Sequence, residues 1–344
     1  MTFQEYVKLI PQEIETELKL YLSKWRDEVE DTNPNLLPLA DLFIDACDGG
    51  KRLRGALVKL GFELSGNKYE PEILKSAVAI EIFQTAILAQ DDIVDQSPTR
   101  RGKKTIHTAL GNDHYAISQT MMLGDTGFFL ALKLIGESNF PPERVNKAIQ
   151  SFSETMLKTA VGEMLDIELS QKDVEQNEED AITIFKLKTS RYTITGPLHL
   201  GAILGGADQK LLDTMDKFGE DLGIAFQIQD DILGVFGDEE KLGKSVTSDI
   251  EEGKNTLLIT EAQRKASPEQ KELLAKYYGN GQVSEEGLKA VREIFEQTGS
   301  LEYSRTKALE YISRAKKIIP EITDDKNYQQ VLEELSDFLV NRSK

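Results

Sequence analysis

Apolar residues recur at three- and four-residue spacing along much of the chain, whereas the strict alternation typical of β-strands is hard to find. The pattern is strongest in five segments: residues 113–137, 143–170, 209–233, 283–297 and 326–341. Most prolines fall between such segments, and Pro71 and Pro142 are each followed by a glutamate, which suits the first turn of a helix. We therefore predict an all-α protein with about a dozen helices.

The chain shows no linker that would divide it into domains. The polar connectors at residues 171–180 and 237–254 do not resemble interdomain hinges, and no stretch is rich in proline, glycine and serine. We predict a single domain over residues 1–344. Pro197 follows Gly196 within an apolar stretch, which predicts a kink in a long helix.

The composition and charge of the chain argue against several classes of function. Of 344 residues, 41 are Lys or Arg and 59 are Asp or Glu, which gives a net charge of −18. Such an acidic surface argues against nucleic-acid binding and against a polybasic membrane anchor. With one cysteine (Cys47) and three histidines, the chain has few of the side chains that bind zinc. No signal peptide is evident, and no apolar run approaches the roughly 18–20 residues of a membrane span. We expect a cytoplasmic protein.

A first acidic cluster, Asp91, Asp92 and Asp95, follows the apolar run at residues 77–89. Asp91 and Asp95 are four residues apart and share one helix face. Pro98 indicates that the helix ends here, where the helix dipole disfavours negative charge. A bound divalent cation would remove this conflict, and oxygen ligands without histidine or cysteine favour Mg²⁺.

A second acidic cluster, Gln227, Asp230 and Asp231, has i, i+3, i+4 spacing and lies on one face of another apolar helix. One such pair alone would be ordinary as a solvated helix end. Two pairs, each within an apolar helix, favour a functional site. Two basic loops complement them: residues 49–55 read Gly-Gly-Lys-Arg-Leu-Arg-Gly, and residues 100–104 read Arg-Arg-Gly-Lys-Lys. Such cations can neutralise a diphosphate.

The order and spacing of these motifs, from about residue 49 to 256, resemble the trans-isoprenyl diphosphate synthases of the polyprenyl synthetase family, and geranylgeranyl diphosphate synthases in particular. The resemblance implies the isoprenoid synthase fold, a single large helical bundle around a central cavity, and a homodimer. It also implies Mg²⁺-dependent condensation of isopentenyl diphosphate with an allylic diphosphate to give geranylgeranyl diphosphate or a longer product.

The resemblance also assigns roles to individual residues. About three Mg²⁺ ions would be held by Asp91, Asp92, Asp95, Asp230 and Asp231. The allylic diphosphate would be bound by Arg100, Lys188, Thr189, Gln227, Lys244 and Lys254. Isopentenyl diphosphate would be bound by Lys51, Arg54, Gln84 and Arg101. The residues expected to carry the chemistry are Asp91, Asp92, Asp95, Arg100, Lys188 and Lys244.

The chain departs from the family pattern at three positions, one of which is Glu163, where the family often has glutamine. Gln84 stands where bacterial members usually have histidine, and Gly234 replaces the third aspartate of the second motif. Product length depends on how far the growing prenyl chain can extend. In farnesyl-type members of the family, bulky aromatic residues stand near the position of Ala86 and stop growth. The small Ala86 leaves this space open, and Phe83, a turn further from Asp91, would stop growth instead. Ala86 could equally well just pack against another helix.

Two other functions are left open. A non-catalytic partner subunit of a heteromeric synthase tends to lose aspartates or arginines, and both clusters are present here. A terpene cyclase shares the first aspartate motif but lacks the basic segment at residues 49–55.

Overall fold

The computed structural model describes residues 3–68, 70–171, 176–238 and 246–340. Almost all regular structure in these residues is helical, which confirms the predicted fold class. The chain forms two compact units, Met1–Ser153 with Gly196–Leu212, and Glu154–Thr195 with Asp213–Lys344. The single-domain assignment stays a prediction.

The first unit is built around two pairs of closely packed helices, α3 with α9 and α4 with α6. Its regular elements are α1 (Phe3–Thr32), α2 (Leu37–Cys47), α3 (Leu53–Leu64), α4 (Ile73–Val94), β1 (Thr99–Arg100), β2 (Lys103–Lys104), α5 (Ile106–Leu110), α6 (His114–Gly136), the first part of α7 (Pro142–Leu169) and α9 (Gly196–Gly205). Glycine permits the close contact of α3 with α9, because a Cβ atom on Gly61 or Gly201 would overlap a backbone carbonyl of the facing helix.

Helix α4 is the central helix of this unit. It is long and apolar enough to cross a membrane by length and composition, so the statement that no apolar run approaches a membrane span was wrong for this segment. Its most apolar window is 72% buried inside the protein, as expected for the core helix of a folded unit. No other helix in the described ranges meets the same length and composition criteria.

The second unit contains a second, separate core. Its elements are the remainder of α7, α8 (Glu178–Ile184), a π-helical segment (Phe185–Thr195), α10 (Gln209–Phe236), α11 (Ser248–Glu252), α12 (Leu257–Lys265), α13 (Pro268–Tyr277), α14 (Glu285–Gln297), α15 (Ser300–Ile322) and α16 (Lys326–Val340). Ile224, Ile228 and Ile232 recur every four residues along α10 and are buried in this core. The same stripe predicted the helix from sequence.

The five strongest periodic segments are helices with ends within a few residues of those predicted, for example α6 at residues 114–136 against the predicted 113–137. The region of Pro197 is helical throughout: α8, the π-helical segment and α9 follow one another without a break, and Pro197 is the second residue of α9. The kink stays a prediction.

Candidate active site

The first acidic cluster lies at the end of α4, as predicted. Asp91 and Asp92 are in its last turn, and Asp95 caps it, donating its backbone N–H to the Asp91 carbonyl at 2.8 Å. A tight hairpin follows, with Arg101 and Gly102 at positive φ values of 53° and 74° between the paired strands. Positive φ at both central residues is what a two-residue hairpin turn requires. The hairpin returns Arg100 to the carboxylates of α4.

Arg100 bridges two carboxylates of the first cluster. Its Nε donates to Asp92 Oδ1 at 2.7 Å, and its Nη2 donates to Asp91 Oδ2 at 3.1 Å. Asp92 is only 4% exposed. Burial raises the pKa of Asp92 to about 6, although the Arg100 guanidinium favours the ionised form. The charges of Asp91 and Asp95 contribute to this rise, so the cluster as a whole is short of positive charge.

The basic loop before α3 lies close to the hairpin turn. Gly49 and Gly50 have φ values of 81° and 93°, a region that favours glycine. The Arg101 guanidinium lies against Gly50, where a Cβ atom would be 3.2 Å from its Nη1. Lys51 and Arg54, both predicted to bind isopentenyl diphosphate, belong to the same short segment.

Positive charge is crowded at this point of the first unit. Burial lowers the pKa of Arg101, and the nearby guanidinium groups of Arg52, Arg100 and Arg54 lower it further, while Glu81 opposes the shift. A bound anion would relieve this repulsion. Gln84, also predicted for this site, is buried on α4, and its Oε1 has no hydrogen-bond partner in the described part of the chain. The arrangement therefore suits an anionic ligand.

The second unit holds a network of side chains from three segments. Lys188, on the π-helical segment, has its Nζ 2.7 Å from Glu163 and 2.8 Å from Asp166 of α7. The next residue, Thr189, contacts α10 instead. Its hydroxyl donates to Gln227 Oε1 at 2.6 Å, and Gln227 Nε2 donates to Asp231 Oδ1 at 2.7 Å. Of the residues predicted for one site, Thr189, Gln227 and Asp231 are joined by direct hydrogen bonds, and Lys188 precedes Thr189 in the chain. Their shared role stays a prediction.

Asp231 is a buried carboxyl group whose surroundings, on balance, disfavour its ionised form. The residue is 5% exposed, and its Oδ2 has no hydrogen-bond partner among the described residues. Burial raises its pKa well above the usual value, and the neighbouring carboxylates of Asp249 and Asp230 raise it further, against the hydrogen bond from Gln227. An unpartnered carboxylate oxygen beside other carboxylates is what a cation site presents.

Asp249 belongs to neither of the two acidic clusters that the sequence predicts. Its Oδ2 lies directly over the Cα of Gly234, so that a Cβ atom on Gly234 would overlap it. The second motif lacks its third aspartate, and a carboxylate from α11 thus lies at that position instead. Lys254 lies 3.3 Å from Asp249 and 3.0 Å from Glu252. Lys244 lies outside the described residues.

The donor sets at both places fit Mg²⁺, although no group of three metal-ligating side chains is already assembled in residues 3–68, 70–171, 176–238 and 246–340. Every candidate ligand is a carboxylate oxygen. Mg²⁺ is typically held by one or two carboxylates and completes its shell with water and substrate phosphates. Asp231 supplies the orphaned buried oxygen that such an ion would satisfy.

The family model for polyprenyl synthetase matches residues 38–295. The chain belongs to this family. It is 32% identical to a geranylgeranyl pyrophosphate synthase of Geoglobus acetivorans, covering 97% of this chain and 99% of that protein. It is 33% identical to a geranylfarnesyl diphosphate synthase of Aeropyrum pernix, covering 86% and 91%. These relatives confirm the predicted enzyme class, a prenyltransferase that makes geranylgeranyl diphosphate or a longer product.

Solved structures agree with this assignment. The chain matches a geranylgeranyl pyrophosphate synthase from Corynebacterium glutamicum, solved with isoprenyl diphosphate and magnesium, at a TM-score of 0.91 and 26% identity. The match covers 99% of this chain and 100% of that one. The predicted isoprenoid synthase fold is thereby confirmed.

Glycines allow the π-helical segment to approach both neighbouring helices. A Cβ atom on Gly162 of α7 would be 2.5 Å from the Lys188 backbone nitrogen, and one on Gly223 of α10 would overlap the backbone of Ser190. Each glycine adjoins a polar contact with the same segment: Gly162 precedes Glu163, and Gly223 lies one turn before Gln227. Because backbone atoms cannot move aside as a flexible side chain does, these contacts fix where Lys188 and Thr189 lie.

We predict that Gly223→Ala destabilises the protein by about 1–3 kcal/mol, because the added methyl group overpacks a backbone contact. The same displacement lengthens the Thr189–Gln227 hydrogen bond and raises the KM for the allylic diphosphate several-fold. Urea unfolding and steady-state kinetics measure the two effects. Gly136→Ala is the matched control, since its Cβ would meet only Ile149 at 3.8 Å. Equal stability of both variants would contradict the packing argument.

Proposed function

We propose that this protein joins isopentenyl diphosphate to an allylic diphosphate in a reaction that depends on Mg²⁺, with geranylgeranyl diphosphate or a longer chain as product. The observation that carries the proposal is a buried carboxyl group at each of two places: Asp92 at the end of α4, paired with Arg100, and Asp231 of α10, whose Oδ2 has no hydrogen-bond partner among the described residues. We also propose that the enzyme works in the cytoplasm.

The allylic substrate loses its diphosphate when the C–O bond breaks, which leaves a delocalised carbocation. Arg100, Lys188 and Lys254 stabilise the charge of the departing diphosphate, and Thr189 and Gln227 hydrogen-bond to it. These interactions are stronger with the separated diphosphate than with the ester, so they lower the barrier. We assign Lys244 to the same set from the resemblance.

The second substrate is held by Lys51, Arg54, Arg101 and Gln84. Its alkene attacks the carbocation to form the new C–C bond, and a proton is then lost to the released diphosphate. The reaction therefore requires no dedicated histidine or glutamate base. Apolar helix faces keep water from quenching the carbocation.

Asp91, Asp92, Asp95, Asp230 and Asp231 would hold the metal. When bound, Mg²⁺ supplies Lewis-acid stabilisation of the phosphate oxygens. Three ions per site remain part of the proposal. Asp249 joins these residues as a further carboxylate, because its side chain occupies the space beside Gly234.

We predict that Asp91→Asn lowers kcat/KM at least about 100-fold, because it removes negative charge needed to hold the cation. The assay incubates purified protein with Mg²⁺, labelled isopentenyl diphosphate and allylic starters of increasing length. Asp324→Asn, at an exposed position in the loop before α16, is the matched control and keeps wild-type activity. Unchanged thermal unfolding shows that the fold survives, and retained activity of Asp91→Asn would overturn the metal assignment.

The same incubation separates the alternatives. Elongated diphosphates support the proposal, hydrocarbons or alcohols indicate a terpene cyclase, and an inactive wild-type protein indicates a partner subunit.

Product length depends on the residues before the first acidic cluster. Ala86 is fully buried, and a Cβ atom on Gly127 would be 2.7 Å from the Ala86 methyl group, so its small size is explained by the close packing of α4 on α6. Phe83 contacts Phe128 of α6 and Phe152 of α7, with ring centroids 5.5 Å and 5.1 Å apart. We propose that this aromatic cluster limits chain growth, because Phe83 lies two turns, about 12 Å, before Asp91.

We predict that Phe83→Leu shifts the main product by at least one five-carbon unit towards longer chains, because it opens space in the aromatic cluster. Mass spectrometry of the products gives the chain length. Phe140→Leu is the control, since Phe140 pairs with Phe62 in a different part of the unit, at 5.6 Å. If Phe83→Leu folds poorly, Phe128→Leu at the partly exposed end of the cluster tests the same idea. An unchanged product from both variants counts against the cluster.

Two stripes of exposed apolar side chains support the proposed homodimer. Tyr115, Met122 and Phe129 recur every seven residues on α6 and are 54%, 54% and 70% exposed. On α7, Leu157 and Met164 form a similar stripe, 61% and 69% exposed. Large exposed apolar stripes are unusual on the free surface of a monomer. We propose that a second copy of this chain covers them.

We predict that the wild-type protein sediments as a dimer and that Phe129→Glu shifts it to the monomer, because a buried unpaired charge opposes association. Analytical ultracentrifugation measures the state. Leu309→Glu, at another exposed apolar position, 61% exposed on α15, is the control and remains dimeric. A monomeric wild-type protein would contradict the proposal.

A further inference from the structure

Arg52 is the middle cation of the basic loop, yet it faces the protein interior. It is 4% exposed. Its Nε and Nη2 donate to Glu15 Oε2 of α1 at 2.9 Å and 2.6 Å, and Nη2 also donates to the Cys47 carbonyl at the end of α2, at 2.7 Å. The donors that would hold a phosphate are therefore directed at protein groups.

A second carboxylate links Arg52 to the next helix. Arg52 Nη1 lies 3.6 Å from Glu81 Oε2 of α4, and Glu81 Oε1 accepts the backbone N–H of Gly55, in the first turn of α3, at 2.8 Å. Glu81 is 6% exposed. The guanidinium and the start of α3 are thus tied to the same buried side chain of α4.

The backbone of Arg52 is also unusual. Its φ and ψ are 50° and 32°, a left-handed conformation that costs a non-glycine residue about 1 kcal/mol or more, and it lies at the position that caps α3. Such a conformation persists when surrounding contacts determine it. Here those contacts come from α1, α2 and α4, and Arg52 lies between Lys51 and Arg54 in the chain.

We propose that Arg52 is a positioning residue: through Glu15 and Glu81 it fixes the loop that carries Lys51 and Arg54, so that affinity for isopentenyl diphosphate depends on a carboxylate of the N-terminal helix. The inference rests on the proposed function, which assigns Lys51 and Arg54 to that substrate. Among the described residues, Glu15 forms ion pairs with Arg52 and Lys19, and neither of these is assigned to a substrate.

The geometry indicates which change tests the idea best. Removing one partner of a buried ion pair leaves an uncompensated charge, so replacing Arg52 or Glu81 also threatens the fold. The Glu15 side chain is 26% exposed and that of Glu81 is 7% exposed, so Glu15 is the partner whose replacement threatens the fold less. Glu15→Gln keeps the size of the side chain and one oxygen acceptor while removing the charge.

The experiment compares Glu15→Gln and Arg52→Lys with the wild-type enzyme. We expect the KM for isopentenyl diphosphate to rise about tenfold, because a small displacement of a binding group has a large effect, while the KM for the allylic diphosphate changes less than about twofold. Calorimetric binding of isopentenyl diphosphate to the full chain checks the same loss without turnover. Glu15→Asp, which keeps the charge, is expected to retain part of the affinity for isopentenyl diphosphate, whereas Glu15→Ala is not.

Two controls isolate the Arg52 contact. Lys19→Gln removes the other ion pair of Glu15, whose atoms are 3.4 Å apart, and Glu17→Gln removes a neighbouring charge on the same helix. Both are expected to keep wild-type values. An equal rise in the KM of both substrates, or a lower melting temperature with unchanged affinity for isopentenyl diphosphate, would overturn the inference. An inactive wild-type protein would instead overturn the proposed function.

Discussion

Carboxyl groups buried within apolar helices are the constraint on which the rest of this protein depends. Asp92 and Asp231 are each about 95% buried, and an ion removed from water costs several kcal/mol unless it is paired. At the end of α4 the compensation comes from Arg100. On α10, within the part of the chain that the structure describes, Gln227 satisfies one oxygen of Asp231 and the other has no hydrogen-bond partner. Such sites retain affinity for further positive charge, which makes them suited to hold a metal-bound diphosphate.

The steric counterpart of this electrostatic arrangement is glycine at helix contacts. Gly162 and Gly223 let backbone approach backbone around the π-helical segment, and Gly234 gives room to the Asp249 carboxylate. π-helical turns occur often at functional sites, because the wider helix redirects side chains that an α-helix would place elsewhere. Lys188 and Thr189 gain partners on two different helices as a result.

The sequence predicted most of the helices and the two acidic clusters, because both signals are local. Asp91 and Asp95 are four residues apart whatever the rest of the chain does, and a helix places them on one face. Asp249 was missed because its role follows from its contact with Gly234, fifteen residues away and on another helix. The replacement of an expected aspartate by glycine was the available signal, and it indicated that a carboxylate had to come from elsewhere.

At the basic loop, residues 49–55, the local sequence again does not reveal the role of a residue. In the sequence, Lys51, Arg52 and Arg54 are equivalent cations between glycines, and nothing local separates a ligand from a structural residue. What separates them is long-range: Glu15 and Glu81 lie 37 and 29 residues away in the chain and both direct their carboxylates at Arg52. A guanidinium can be buried only where such partners meet it. The acidic composition that argues against nucleic-acid binding therefore also supplies the carboxylates that hold this basic loop in place.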